Sequence, residues 1–235
     1  MRRPRSPATL GGVRAAAQAR PGLRERKKQR TREAIVRAAT RLFAERGYQA
    51  TTVAEVAEAA EVSPSTVFAY FPAKPDLVFA LLDAVIESAQ RRVVGRPAGE
   101  RADDAVVAWI RDDLPVVEAP YKELMRALPS ITADPELQAA ERLRMARFED
   151  VLATAFARDL GEGAGGMRAH VLATIALRGM AEVWDDWYAH HRGDLNLDLA
   201  DLAARKSAYV REALAAGRAA IELLPSPVCP TTPVV

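Results

Sequence analysis

Apolar residues recur at helical spacing along most of this chain. Ile35, Ala38, Ala39, Leu42 and Phe43 mark one face of a helix over about 31–46, which Gly47 ends. Val53, Val56, Ala57 and Ala60 mark a second helix over 52–60. Thr52 stands where it can cap this helix, with Glu55 three residues on, the pattern in which two orphan amide donors are satisfied reciprocally. In VSPSTVFAYFPAK, residues 62–74, Ser63 can cap a third helix over 64–70, and Pro64 takes the first helical position, where its missing N–H costs nothing.

Val67, Phe68, Tyr70 and Phe71 also favour extended backbone. The Ser-Pro start and the lack of clean alternation favour the helix. Val67 and Phe71 are then the expected inward face. From Lys74 a long helix runs to about Val93, with Pro75 tolerated in its first turn and Asp76 near its positive end. Five further helices are expected over 101–113, 117–127, 135–160, 165–190 and 199–220, joined through RPAGE and GEGAGG. The expected fold is all-α with about nine helices.

Charge divides the chain. Residues 1–32 hold 11 Lys and Arg against the single acid Glu25, whereas the remainder holds 22 basic and 30 acidic residues. A basic end on an acidic body suits a polyanionic partner, although a solvated tail that binds nothing has the same composition. Residues 1–30 are expected to be a basic disordered extension, and 225–235 a Pro-rich tail.

No apolar run approaches the ~18 residues of a membrane span, and no apolar segment follows the basic start as in a secretory signal. An Arg-rich, acid-poor start also has the composition of a transit peptide. A cytoplasmic location without membrane attachment is expected. The single cysteine, Cys229, excludes an intrachain disulfide. No cofactor is called for, and His170, His190 and His191 do not form a convincing metal set.

Two short helices joined by the tight Glu61-Val62 turn, packed on a third, describe a helix-turn-helix, whose second helix fits the major groove of B-DNA. The segment TREAIVRAATRLFAERGYQATTVAEVAEAAEVSPSTVFAYFPAKPDLVFALL resembles the N-terminal DNA-binding domain of the TetR family of bacterial transcriptional regulators. Leu42-Phe43, Gly47-Tyr48, Val62-Ser63, Thr66, Tyr70-Phe71, Lys74 and Leu77 carry the resemblance. The chain departs from the family at Glu61, where glycine is usual, and at Phe68, where tyrosine is common.

The resemblance implies a DNA-binding domain at 31–78 and a helical ligand-binding and dimerisation domain at 79–224. It further implies a homodimeric repressor on a palindromic operator, released by a small-molecule effector. Thr52, Ser63, Thr66, Tyr70 and Lys74 would hold phosphates, which suits hydroxyls, a helix N-terminus and an ammonium. Pro64, Ser65, Phe68 and Ala69 would face the bases. With no Arg, Asn or Gln on that helix, apolar contacts and DNA shape must carry much of the specificity.

Trp109, Met125, Leu128, Met145, Phe148, Met180, Trp184 and Tyr188 suit an apolar ligand cavity, and each also suits plain core. Arg178 interrupts the apolar run VLATIALRGMAEVW and must be paired, either with Glu182 one turn on or with an acidic group of the ligand. The expected ligand is small and apolar or acidic, acyl-CoA-like among the options. Ala173, Ala176, Gly179 and Ala181 permit close helix approach in the expected dimer pair, 165–190 and 199–220. A nonspecific nucleoid protein resting on the basic arm is the competing reading. An enzyme would need a nucleophile, an acid–base pair or a metal set, and none stands at informative spacing.

Overall fold

The computed structural model describes residues 22–122, 124, 135–163, 165–190 and 198–223. Helix α1 spans Leu23–Arg46, α2 Val53–Ala59, α3 Pro64–Tyr70 and α4 Lys74–Val78. After a bend at Phe79, α5 spans Ala80–Ala89 and runs into a π turn at Gln90–Val94. Then follow α6, Ala102–Ala108, α7, Leu114–Glu118, α8, Pro135–Leu160, α9, Met167–His190, and α10, Leu199–Glu222. No strand occurs among the described residues.

Helices α2 and α4 rest on the inward face of α1, where Ile35, Val36, Ala39, Leu42 and Phe43 are buried, and α3 packs on α2. Val56 and Ala57 from α2, Val67 from α3 and Phe71 close that core. The core then runs without a break into the C-terminal helices, where α9 packs between α8 and α10. Gly179 admits α10 to α9, because a Cβ there would stand 3.1 Å from Val210 Cγ2. Ala173 and Ala176 are fully buried as well, so the close approach these small residues permit lies within one chain.

Two boundaries differ from expectation. Helix α1 starts at Leu23 rather than near residue 31, so residues 23–30 are helix and not part of a disordered extension. Arg, Lys, Gln and Glu are good helix formers without apolar spacing, and Gln29 Nε2 donates to Glu33 Oε1 one turn on at 3.0 Å. The expected gap at 114–116 is also helical. Pro115 lacks an N–H and would crowd the carbonyl one turn back. A π turn at Trp109–Asp113 opens the spiral just before it, and the helix passes through.

The connection between α5 and α6 is tied to α8 by Arg96, whose side chain is 3% exposed. Its guanidinium donates to Ala155 O at 2.9 Å and to Asp159 Oδ1 at 2.5 Å, so the buried charge is fully engaged.

Candidate functional site

At the start of α2, Thr52 Oγ1 accepts from Glu55 N at 3.2 Å, and Thr52 N donates to Glu55 Oε2 at 2.7 Å. The backbone N–H of Thr52, then its hydroxyl, holds the Glu55 carboxyl below the usual carboxylate range. Arg46 on α1 pairs with Glu55 at 3.1 Å. Helix α2 ends with Glu61 in the left-handed region at φ 56. Val62 N donates to Ala57 O at 2.9 Å and Glu61 N to Glu58 O at 3.0 Å, which closes the helix end in the way a glycine usually does.

That turn delivers α3 with Ser63 as its cap. Ser63 Oγ accepts from Thr66 N at 3.1 Å and lies 2.8 Å from the hydroxyls of both Ser65 and Thr66. Val67 is buried, as is Phe71, over which the Arg32 guanidinium sits 4.9 Å from the ring centre. Ser65, Phe68 and Ala69, one turn apart on one face, are exposed, as is Pro64. Phe68 is 49% exposed, a large apolar ring facing water. Tyr70 is half-buried against the core. Lys74 Nζ donates to Tyr48 O at 2.6 Å and lies 4.1 Å from the Tyr48 ring centre, which ties the start of α4 to the end of α1.

A second feature is a cavity of about 480 Å³ among α4, α5, α7, α8, α9 and α10. Met145, Phe148, Met180 and Trp184 line it, as do Val78, Phe79 and Leu114. Its charged lining residues are Glu118, Glu141, Asp185 and Lys206. Glu118 and Lys206 pair at 3.4 Å with both side chains 7% exposed, and Lys206 Nζ stands 5.5 Å from the Trp184 ring centre. Burial pushes the Glu118 carboxyl above its ordinary range, and Lys206 opposes the shift. On the outer side of Phe79, the Arg144 guanidinium lies 4.8 Å from the ring centre.

Residues 35–81 match the family model described as bacterial regulatory proteins, tetR family. The N-terminal domain belongs to the TetR family. The HTH-type transcriptional regulator TcmR of Streptomyces glaucescens is 40% identical over 99 residues, covering 39% of this chain and 44% of TcmR. The similarity therefore spans less than half of that relative. A TetR-family transcriptional regulator from Mesorhizobium loti shares the fold at a TM-score of 0.53 and 22% identity, over 81% of this chain and 98% of its own. The regulator FadR from Bacillus subtilis, in complex with stearoyl-CoA, does so at 0.53 and 20% identity, over 78% and 97%.

In this TetR-family chain the nine residues expected at DNA lie at the start of α2, along α3 and at the start of α4; Thr52, Ser63, Pro64, Ser65, Phe68 and Ala69 are exposed, and Thr66, Tyr70 and Lys74 are half-buried. The cavity set divides. Met145, Phe148, Met180 and Trp184 line the cavity. Trp109 is fully buried behind Phe148, edge-on with ring centres 6.0 Å apart, and its Nε1 donates to Ser88 Oγ at 3.0 Å. Tyr188 stacks on Trp184 at 6.4 Å and is not among the lining residues. Met125 and Leu128 lie outside the described residues.

Arg178 takes the first of its two expected partners, Glu182, and not a ligand. Its side chain is 67% exposed and pairs with Glu182 at 2.5 Å, so it is neither buried nor directed at the cavity. Gly179, Met180 and Ala176 form the inward stripe of α9, and residue 178 falls on the opposite side. The charged lining residues escaped sequence reading, because Glu118 and Lys206 come together across 88 positions. The one available signal was a lone acid inside the apolar stretch LPVVEAPY.

Among the described residues, no group of three or more His, Cys, Asp or Glu side chains is placed to hold a metal ion. No described helix is long and apolar enough to cross a membrane.

Proposed function

We propose that this chain is a sequence-specific DNA-binding transcriptional regulator acting as a homodimeric repressor, released from its operator when a small molecule occupies the cavity. The observation that carries this reading is the exposed face of α3, held in the core by Val67 and Phe71 and opening with three clustered hydroxyls. In this reading Thr52, Ser63, Thr66, Tyr70 and Lys74 hold phosphates. Pro64, Ser65, Phe68 and Ala69 face the bases, and Phe68 presses on thymine methyls.

Exposed Met167, Val171 and Tyr209 on α9 and α10 support pairing of two chains through these helices. Two-fold pairing sets the α3 helices on half-sites about 34 Å apart, one turn of DNA. The cavity walls favour an apolar ligand body. The stearoyl-CoA ligand belongs to the B. subtilis protein, and a likeness of fold does not transfer it. Acting on bacterial DNA places the chain in the cytoplasm.

Gel shifts with the region upstream of its own gene test the DNA reading, since specific unlabelled DNA should compete far better than random DNA. Equal competition by the two would leave only a nonspecific binder. Sedimentation should give the mass of two chains, and a single-chain mass would remove the dimer.

A further inference from the structure

The charges around the cavity select its ligand. Three carboxylates, Glu118, Glu141 and Asp185, face one ammonium, Lys206, a formal balance of −2. Lys206 is committed to Glu118 at 3.4 Å and to the face of Trp184. Glu141 and Asp185 make no ion pair among the described residues. Asp185 is exposed and Glu141 half-buried, so both stand where the apolar walls meet water. Should Glu118 hold a proton, the balance is still negative, with Glu141 and Asp185 against Lys206.

We propose that the cavity takes an amphiphilic cation: an apolar, preferably aromatic, body lodged among the walls, with a protonated amine at the mouth beside Glu141 and Asp185. This rests on the reading of the cavity as the effector site and names the chemistry of its ligand. A carboxylate or phosphate head at the same place would add like charge to an unpaired acidic mouth. An acidic head deeper inside would have to displace Glu118 from Lys206, leaving a buried carboxylate without its partner. An amine at the mouth meets opposite charge from Glu141 and Asp185.

The test uses three compounds with one body and three heads: a naphthylbutyl amine, the corresponding alcohol and the corresponding carboxylic acid. Each is titrated into the full-length chain at neutral pH by calorimetry and by tryptophan fluorescence. The amine should bind at least about tenfold more tightly than the acid, with the alcohol between them, and added salt should narrow the gap. In the Glu141→Gln/Asp185→Asn double variant the gap should close while alcohol affinity is kept.

An acid that binds as tightly as the amine, or a gap that survives in the double variant, overturns the cation assignment and leaves the cavity a ligand site. Failure of all three compounds to bind removes both readings. Amine binding without loss of operator affinity supports the ligand class and separates it from the effector role.

Discussion

Arg144 Nη2 lies 2.5 Å from Asp76 Oδ1, joining the helix that walls the cavity to the first turn of the helix that begins with Lys74. The same guanidinium reaches Asp83 at 3.3 Å on α5 and covers Phe79, the residue at the bend between α4 and α5. Asp76 Oδ2 in turn accepts from Ala73 N at 2.7 Å, so the start of α4 hangs on this carboxylate. Burial raises the Asp83 carboxyl above its ordinary range, and Arg144 is the largest influence opposing it. A ligand that moved Phe79 or Met145 would act on all of these groups together.

Arg144→Met keeps the stem over Phe79 and removes the charge. It should lower stability by on the order of 2 kcal/mol, less than for a fully buried pair because water reaches Asp76 and Asp83. Ligand should still bind, yet its effect on DNA affinity should shrink toward none. Thermal unfolding and DNA titrations with and without ligand measure both. A wild-type ligand response in this variant would route the signal elsewhere.

Glu61→Gly should raise stability by about 0.5–1 kcal/mol, because a non-glycine residue in the left-handed region carries a steric cost of about 1–2 kcal/mol, only partly returned by glycine's greater freedom when unfolded. Glu61→Val should destabilise, since a branched side chain tolerates this backbone worse. Thermal denaturation of the pair orders them, and a Val variant as stable as the Gly variant would contradict the strain.

Lys74→Ala should weaken binding to specific and random DNA alike and lower the salt slope by about one. Its contact with Tyr48 predicts a second effect, a small loss of stability. Lost stability with an unchanged slope would give Lys74 a purely structural role. Ser65→Arg and Ala69→Arg, on the exposed face, should instead change which sequences are preferred.

Lys206→Met strands Glu118 in the core and should cost about 3–5 kcal/mol at pH 8. Burial raises the folded-state pKa of Glu118, so the folded chain takes up this proton more readily than the unfolded one. The associated stability is present at low pH and is lost as pH rises through the raised value. The penalty of Lys206→Met should therefore shrink at pH 5, and Glu118→Leu/Lys206→Met should recover most of it. Urea denaturation at the two pH values reads this directly, and a pH-independent penalty would contradict it.

The helix-turn-helix was legible because its determinants are local. Thr52 and Glu55, Ser63 and Pro64, and the inward pair Val67 and Phe71 act within one or two turns, and each occupies its expected place. Helix α1 was read too short because its first turns are exposed throughout, and apolar spacing is blind to such helix. The cavity was legible only in its bulky walls. Phe148 and Trp109 look alike in sequence, yet one faces the space and the other stands behind it, a difference set by packing between distant segments. The Arg178–Glu182 pair was legible from its one-turn spacing, but not the exposure of Arg178, because an apolar neighbourhood in sequence does not say which side of the helix a residue takes.

Helix α1 carries a last consequence. Residues Arg24, Arg26, Lys27, Lys28 and Arg30 project from a rod about 36 Å long rather than from a loose strand. A flexible arm must give up about 1–2 kcal/mol of conformational entropy per residue when it settles on a partner. In this chain that ordering is completed during folding. A polyanion docking here would find the cationic array already spaced, so the attraction would go into affinity instead of into arranging the arm.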